Sequence, residues 1–453
     1  MKNKPTPEHH RGLKAFRQQV YGIFEKQGDA LFELLDAVVQ TAHPSSFAEL
    51  SLAGACTRRW SSVYQALNRG SIKEGELREL CMQQLPPGRK RYHFAVDVMA
   101  VRRMRSPTLK ERVYCHGAKR EVGGKGIIIG LPYSIVAFVD KRGTSWAPSI
   151  HTRRVKPQES AVEVALSQTK WLVQRLPADA TGEAALDGGY GNLKFFQGLS
   201  GVKVFVTARI RNDRVFYQLP PSTDGEEKKP KPGRPSKYGA AFHCNDPTTW
   251  PVPEQILEFQ DPCYGDVRLE LWSALRLRIK DHCLDLAVVR SQIHLEKDKP
   301  PAAHWYAVHN GTTQKTTLER VFECITHRWP IEPANRFRKH RLHAELPKVR
   351  TPQASDLWLQ LLQIIEWQLF LWHPVTHDAR LPWQPPLPPS QLTPGRVIRS
   401  LSQHLPQVGT PVSSVLPRGK PPGWHTGRPR TPPKTYRLVP KNPKQTPKTS
   451  KNE

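Results

Sequence analysis

The 453-residue chain is short of acidic residues and lacks the signatures of several protein classes. Forty Asp and Glu stand against 68 Lys and Arg, which gives a formal net charge of +28. The seven cysteines form no CxxC pair, which argues against a zinc ribbon or finger and favours reduced thiols. No run of 18 apolar residues occurs, and the first residues lack the apolar core of a signal peptide. We therefore expect a cytoplasmic protein without a membrane partner that binds a polyanion, with nucleic acid as the first candidate.

Residues 1–88 are predicted to form a helical N-terminal domain. KAFRQQVYGIFEKQ and GDALFELLDAVVQTA carry apolar residues at helical spacing. SFAELSL followed by TRRWSSVYQALNRG predicts a short helix, a turn and a longer helix, with Arg58 and Arg59 at the start of the longer one. This order is that of a helix-turn-helix that reads DNA, but an ordinary helical bundle with a basic face has the same pattern. Both interpretations stay open.

The periodicity changes at residue 89. RYHFAVDVMAV, GIIIGLPYSIVAFVD and SWAPSIHT predict three strands, followed by a helix in ESAVEVALSQTKWLVQRL. A strand in EAALDGG, a short helix and the strand VKVFVTARI come next. Three strands, helix, strand, helix, strand is the order of an α/β layer with an antiparallel start, which we assign to residues 89–217.

The remaining chain divides by composition into three parts. Residues 218–312 predict a β-rich insertion, and residues 313–378 return to helices, the last of them strongly apolar. Residues 379–453 are rich in Pro, Lys and Arg, with twelve basic residues against one Glu in 385–453. That composition predicts a disordered basic tail that contacts polyanions.

Three carboxylates stand out as candidate metal ligands. Asp97 lies near the end of the first predicted strand, and Asp187 ends another strand before a Gly-rich turn. Glu332 is a single acid within the basic stretch RWPIEPANRFRKH. Each acid alone is equally well explained as a turn or cap residue. Together they can converge on one Mg²⁺ site, because hard cations take carboxylate oxygens and keep positions open for phosphate.

The bases around Glu332 are predicted to hold DNA phosphates. Arg328, Glu332, Arg336 and Lys339 are spaced by 4, 4 and 3 residues, which puts them near one face of a helix. The sequence therefore predicts a metal ligand surrounded by phosphate contacts.

These motifs resemble those of bacterial insertion-sequence transposases of the DDE type, in the group with a Tyr-Arg-Glu-Lys signature. CITHRWPIEPANRFRK supplies Arg328, Glu332 and Lys339 at the spacing of that signature. FAVDVMA and ALDGGYGN are similar to the two Asp strands, and VFVTARIRNDRVFY to the strand after them, with Arg209 and Arg211. The resemblance runs from about residue 12 to residue 373.

Two residues depart from the signature. Ile325 stands at the position of the Tyr, so the contact of that hydroxyl is missing. Pro333 follows Glu332 directly, and a residue before proline is pushed away from helical backbone angles. We therefore expect Glu332 at the helix cap rather than inside the first turn.

The resemblance implies an RNase H-like catalytic core and metal-dependent chemistry on double-stranded DNA. Asp97, Asp187 and Glu332 would bind Mg²⁺, with Mn²⁺ as a possible substitute. The implied reaction is cleavage at the ends of the element and transfer of the freed 3′-OH into target DNA by a homodimer in a synaptic complex, associated with the bacterial nucleoid. A hydrolytic nuclease with the same core, and an inactive copy that only binds DNA, are the alternatives.

Overall fold

The computed structural model describes residues 7–117, 126–220, 236–278, 283–294, 302–415, 426–427, 429 and 431–440. The stretch 441–453, predicted to be disordered, lies outside the described residues. No helix in the described part of the chain is long and apolar enough to cross a membrane.

In the described residues, helices precede the strands, lie between them and follow them. The α-helices are α1 Pro7–Gly22, α2 Gly28–Gln40, α3 Trp60–Arg69, α4 Glu74–Gln83, α5 Ala161–Val173, α6 Leu193–Gly198, α7 Leu318–Thr326, α8 Ile331–His340, α9 Pro352–Trp372 and α10 Pro394–Val408. Short 3₁₀ helices span Phe47–Leu52, Pro247–Thr249, His373–Val375 and Pro389–Gln391.

Most strands join one large mixed sheet. The strands are β1 Phe24–Lys26, β2 Ser71–Ile72, β3 Arg91–Arg102, β4 Val113–His116, β5 Ile127–Phe138, β6 Ser149–Arg154, β7 Thr181–Leu186, β8 Val204–Ile210, β9 Val215–Tyr217, β10 Ala241–His243, β11 Gln255–Asp261, β12 Gly265–Arg278, β13 Cys283–His294 and β14 Ala302–Asn310. Within the described residues, the large sheet runs β10-β9-β12-β13-β14-β8-β7-β3-β5-β4, with β11 beside β12 and β6 beside β5. Strands β3, β7 and β8 are parallel to one another, and β5 is antiparallel to β3.

This α/β architecture with an antiparallel start agrees with the predicted order of elements and fits an RNase H-like core. Two details of the prediction were wrong. Strand β4 was missed, because its four residues alternate too briefly to give a clear pattern. Asp97 lies in the middle of β3 rather than near its end, because β3 goes on pairing with β5 as far as Arg102.

The β-rich stretch after residue 217 extends the same sheet instead of forming a separate one. Strand β14 pairs with β8 along Phe205–Ile210. The long hairpin β12–β13 continues the sheet outward from β14. The described part of this region is therefore attached to the core through backbone hydrogen bonds.

The N-terminal helices pack on the C-terminal ones rather than standing apart. Helices α1, α2 and α3 all contact α9, and their apolar side chains belong to the same core cluster as the central strands. Trp358 of α9, for example, meets Phe47 at a ring-centroid distance of 5.5 Å.

The predicted disorder of residues 379–453 was wrong for the described part of this stretch. Thr393 and Pro394 begin α10, in line with the preference for proline at the first helical position. Apolar residues at helical spacing then bury one face of α10 against α2 and α9. Further on, Val439 packs against a small cluster containing Val113, and its N–H donates to Arg112 O at 2.9 Å. The average Pro, Lys and Arg content concealed these apolar positions.

The buried Arg17 joins the N-terminal helices to the helices that follow the sheet in sequence. Its side chain donates to both carboxylate oxygens of Asp36 on α2, each at 2.7 Å. It also donates to Gln368 Oε1 on α9 at 2.7 Å and to Gly409 O after α10 at 3.1 Å. Arg17 is 1% exposed. A single guanidinium therefore connects α1, α2, α9 and the end of α10.

Removing this guanidinium should destabilise the protein strongly. We expect Arg17→Ala to lower the free energy of unfolding by about 3–5 kcal/mol, because Asp36 is left buried without its cation. Lys14→Ala, at an exposed position of the same helix, should change it by less than about 0.5 kcal/mol. Urea denaturation followed by circular dichroism measures both, and equal values for the two variants would contradict the role of Arg17.

Candidate active site

Strand pairing brings two of the predicted acids side by side. Strands β3 and β7 are parallel and pair through Val96 and Leu186. Asp97 is the next residue of β3, and Asp187 directly follows the end of β7. The end of a parallel strand is a common place for a functional group in α/β proteins, which fits Asp187. This pairing therefore places the first two acids of the candidate site next to each other.

The third acid comes from helix α8. Glu332 is the second residue of α8, and its side chain is 54% exposed. The expected displacement of Glu332 to the helix cap was wrong. Pro333 is still within the first turn, where backbone N–H groups have no partner in the helix, so the proline removes no hydrogen bond there.

Arg328 forms ion pairs with two of the three acids. Its guanidinium lies 3.4 Å from Asp187 Oδ1 and 2.9 Å from Glu332 Oε1. Burial alone would lower the pKa of Arg328, but the charges of Asp187, Glu332 and Asp97 raise it above its ordinary value. Arg328 was predicted to contact phosphates. In the structure it is paired with carboxylates, because it lies in the turn between α7 and α8, next to Glu332 and to Asp187 after the end of β7.

Asp97 is the most sheltered of the three acids. Burial raises the pKa of Asp97 to about 6, and the charge of Arg328 opposes this shift. The negative charges of Asp187 and Glu332 add to the rise. The folded state therefore binds the proton of Asp97 more tightly than the unfolded chain does. Loss of this proton lowers the free energy of unfolding as the pH rises towards 6.

Asn335 is a site residue that the prediction missed. Its Nδ2 donates to Asp97 Oδ2 at 2.8 Å, which connects α8 directly to β3. The signal was present, since Asn335 follows Glu332 by three residues and so lies on the same helical face.

The three carboxylates are suitable ligands for a divalent cation, but they are not already arranged around a metal position. Oxygen ligands with net negative charge are what Mg²⁺ and Mn²⁺ take. The acids already surround one cation, the guanidinium of Arg328. In the described ranges, no group of three or more His, Cys, Asp or Glu is close enough to hold a metal ion. Arg328 would have to move for the carboxylates to close on a metal.

A basic cleft opens beside Asp187. It has a volume of about 450 Å³ and is lined by Asp187, Arg209, Arg211 and His304 among others. Arg209 contacts His304 Nδ1 at 3.0 Å, and the exposed Arg211 is paired with Asp213. Both arginines predicted to bind DNA thus lie next to a candidate catalytic acid.

The outer face of α8 carries the other predicted phosphate contacts. Arg336 is exposed and Lys339 is half-buried. Trp329, directly before α8, is 46% exposed. These side chains form a basic surface with one aromatic ring around Glu332.

Arg58 does not belong to an open DNA-binding face. Its guanidinium pairs with Glu33 and lies 3.3 Å from Asp29, and its side chain is only 15% exposed. It therefore fastens the segment before α3 to α2. Arg59 is exposed at the start of α3 and stays a predicted DNA contact.

Two residues with polar side chains near the site are buried. Tyr190 is 3% exposed, so it offers no surface contact to DNA in the described conformation. His327 is 6% exposed and stacks on His93 at a ring-centroid distance of 3.8 Å. Burial lowers the pKa of His327 to about 4, so it is neutral at physiological pH.

Ile325 fills an apolar position. It is 9% exposed and belongs to a cluster formed by α7 with residues of β7, β8 and the strands β11 to β14. The residue at the place of the signature Tyr therefore takes part in packing.

Comparison with known protein families matches residues 19–262 to the family described as DDE superfamily endonuclease. The match covers slightly more than half of the chain. The chain belongs to the DDE superfamily endonuclease family. No curated protein matches it.

The matched range contains Asp97 and Asp187 and ends one residue after β11. Glu332 and its helix lie beyond the matched range, so the assignment of the third acid depends on the geometry around Arg328. Members of the superfamily typically act on DNA with divalent metal ions.

One glycine fixes the turn after Asp187. A Cβ at Gly191 would lie 2.3 Å from Arg209 O, whereas a Cβ at Gly189 would meet nothing within 4 Å. Within this Gly-rich turn, the close backbone approach therefore occurs at Gly191. The turn carrying Asp187 is packed directly against the end of β8.

This difference gives a matched pair of variants. Gly191→Ala should lower the free energy of unfolding by about 1–3 kcal/mol, because the added methyl forces β7 and β8 apart at the site. Gly189→Ala should leave it within about 0.5 kcal/mol of wild type. Urea denaturation measures both variants. If Gly191→Ala were as stable as Gly189→Ala, the described contact with β8 would be wrong.

Proposed function

We propose that the protein is a DNA transposase that cleaves the ends of an insertion sequence and joins the freed 3′-OH to target DNA. The observation that carries the proposal is the grouping of three acids around Arg328. Asp97 on β3 and Asp187 just after the adjacent parallel strand β7 lie near Glu332 of α8, with Arg328 paired to Asp187 and Glu332 and influenced by the charge of Asp97. Membership of the DDE endonuclease family supports DNA as the substrate.

Asp97, Asp187 and Glu332 would hold divalent metal, with Mg²⁺ as the ion proposed and Mn²⁺ as a substitute. Divalent metal held there would supply activation of the attacking oxygen and stabilisation of the leaving oxygen in an in-line phosphoryl transfer. No covalent bond between protein and DNA is needed for either step.

The residues around the acids would position the DNA backbone. Arg209 and Arg211 line the cleft next to Asp187, and Arg336 and Lys339 lie on α8 beyond Glu332. Guanidinium groups pair readily with phosphate oxygens because of their fixed fork of donors. Once metal replaces it between the carboxylates, Arg328 would be free to bind a phosphate near the cut.

The two steps use different nucleophiles at phosphorus. Water attacks the phosphodiester at the element end, and the 3′ oxygen leaves as a 3′-OH. That hydroxyl then attacks a target phosphodiester and displaces its 3′ oxygen, so one phosphodiester replaces another. A homodimer that holds two ends at once, acting on DNA of the bacterial nucleoid, would complete the reaction.

The test is an excision assay in cells. A donor plasmid carries a marker between the flanking DNA of the native element, and wild type is compared with Asp187→Asn and Glu332→Gln. We expect each variant to reduce excision by at least about 100-fold, the upper end of the effect seen for residues that only support metal ligands. Glu25→Gln removes an exposed acid of the N-terminal region and should excise like wild type.

The outcomes separate the three candidate functions. Excision with joined target by wild type and Glu25→Gln alone supports the transposase and its ligands. Nicked ends that are never joined would indicate a hydrolytic nuclease. Specific binding of the ends without cleavage would indicate an inactive copy, and equal excision by all variants would overturn the assignment of the acids.

A further inference from the structure

We propose that Asn335 is a positioning residue that orients Asp97 for metal binding, an inference that rests on the proposed function. Asn335 lies on α8, three residues after Glu332, and donates from Nδ2 to Asp97 Oδ2 at 2.8 Å. The same helix thus supplies one proposed ligand and the partner of another.

The direction of the Asn335 amide is fixed by its second neighbour. Arg338 Nη1 donates to Asn335 Oδ1 at 2.7 Å. A guanidinium has only donors, so the oxygen of the amide must face Arg338. The NH₂ group must then face Asp97, where it can donate to the carboxylate. If the amide were reversed, two donors would meet at Arg338 and two acceptors would meet at Asp97.

Arg338 is itself held in place. It is 2% exposed, pairs with Glu366 on α9 and donates from Nη2 to Ala147 O at 2.7 Å. Glu366 in turn accepts from the backbone N–H and the hydroxyl of Ser149, at 2.9 and 2.6 Å. The chain from α9 through Arg338 and Asn335 to Asp97 is therefore continuous.

The buried ion pair of Arg338 with Glu366 adds little net stability, because the cost of desolvating both charges offsets most of their attraction. It does fix the orientation of the groups that Arg338 contacts, Asn335 among them. Outer partners of metal ligands orient the ligands, and their removal typically lowers metal affinity or activity about 10- to 100-fold. Asn335 fits such an outer partner, because it donates to the proposed ligand Asp97 and is itself held by Arg338.

The experiment compares Mn²⁺ binding by isothermal titration calorimetry on the full chain. Asn335→Leu keeps the branched shape of the side chain without its donor, and Asn335→Ala removes both. Gln18→Leu makes the same kind of change at an exposed position of α1. Asp97→Asn removes the proposed ligand itself. The melting temperature of each variant in EDTA shows whether it is folded.

We expect Asn335→Leu and Asn335→Ala to bind Mn²⁺ about 10- to 100-fold more weakly, with DNA cleavage recovering towards wild type at saturating Mn²⁺. A purely structural role would instead lower the melting temperature and the rate at every Mn²⁺ concentration, and would overturn the proposal. Wild-type Mn²⁺ affinity in both Asn335 variants, together with loss of affinity in Asp97→Asn, would also overturn it while leaving the metal site intact. Wild-type affinity in Asp97→Asn would instead overturn the metal site, and the positioning role with it.

Discussion

The parallel pairing of β3 with β7 is the constraint on which the rest of the site depends. Because Val96 pairs with Leu186, Asp97 and Asp187 follow at the same level of two adjacent strands. A shift of the pairing by one residue would reverse which way each side chain points and would separate the acids. Helix α8 reaches this place after the long β-rich region has extended the sheet and returned through β14 to β8. The site therefore unites residues that are far apart in sequence.

The charges around the site explain why one acid stands within a basic stretch. Three carboxylates in a partly buried place repel one another, and each added charge makes ionisation of Asp97 less favourable. Arg328 reduces this repulsion by pairing with Asp187 and Glu332. In the proposed function a divalent metal would reduce this repulsion in place of Arg328. The guanidinium of Arg328 would then be available to a phosphate of the DNA backbone. The bases of RWPIEPANRFRKH thus serve different purposes, since Arg338 is buried in the core and Arg336 faces outward.

Much of the central fold could be predicted from sequence, because alternating strands and amphipathic helices have strong periodicity. The order of strands and helices around Asp97 and Asp187 is an example. What could not be predicted depends on tertiary contacts. The partners of Arg58 lie on a different helix, and the burial of His327 follows from its stacking on a residue of β3. Helix α10 was missed because its few apolar residues make sense only against the surfaces of α2 and α9.

The most direct test of the shared metal site is the anomalous scattering of Mn²⁺ in crystals of the full chain grown with MnCl₂. The proposed site predicts an anomalous peak in contact with carboxylate oxygens of Asp97, Asp187 and Glu332, with the Arg328 guanidinium displaced from between the acids. A peak elsewhere, or none while Arg328 keeps both ion pairs at saturating Mn²⁺, would contradict the claim that these three acids form one metal-dependent centre.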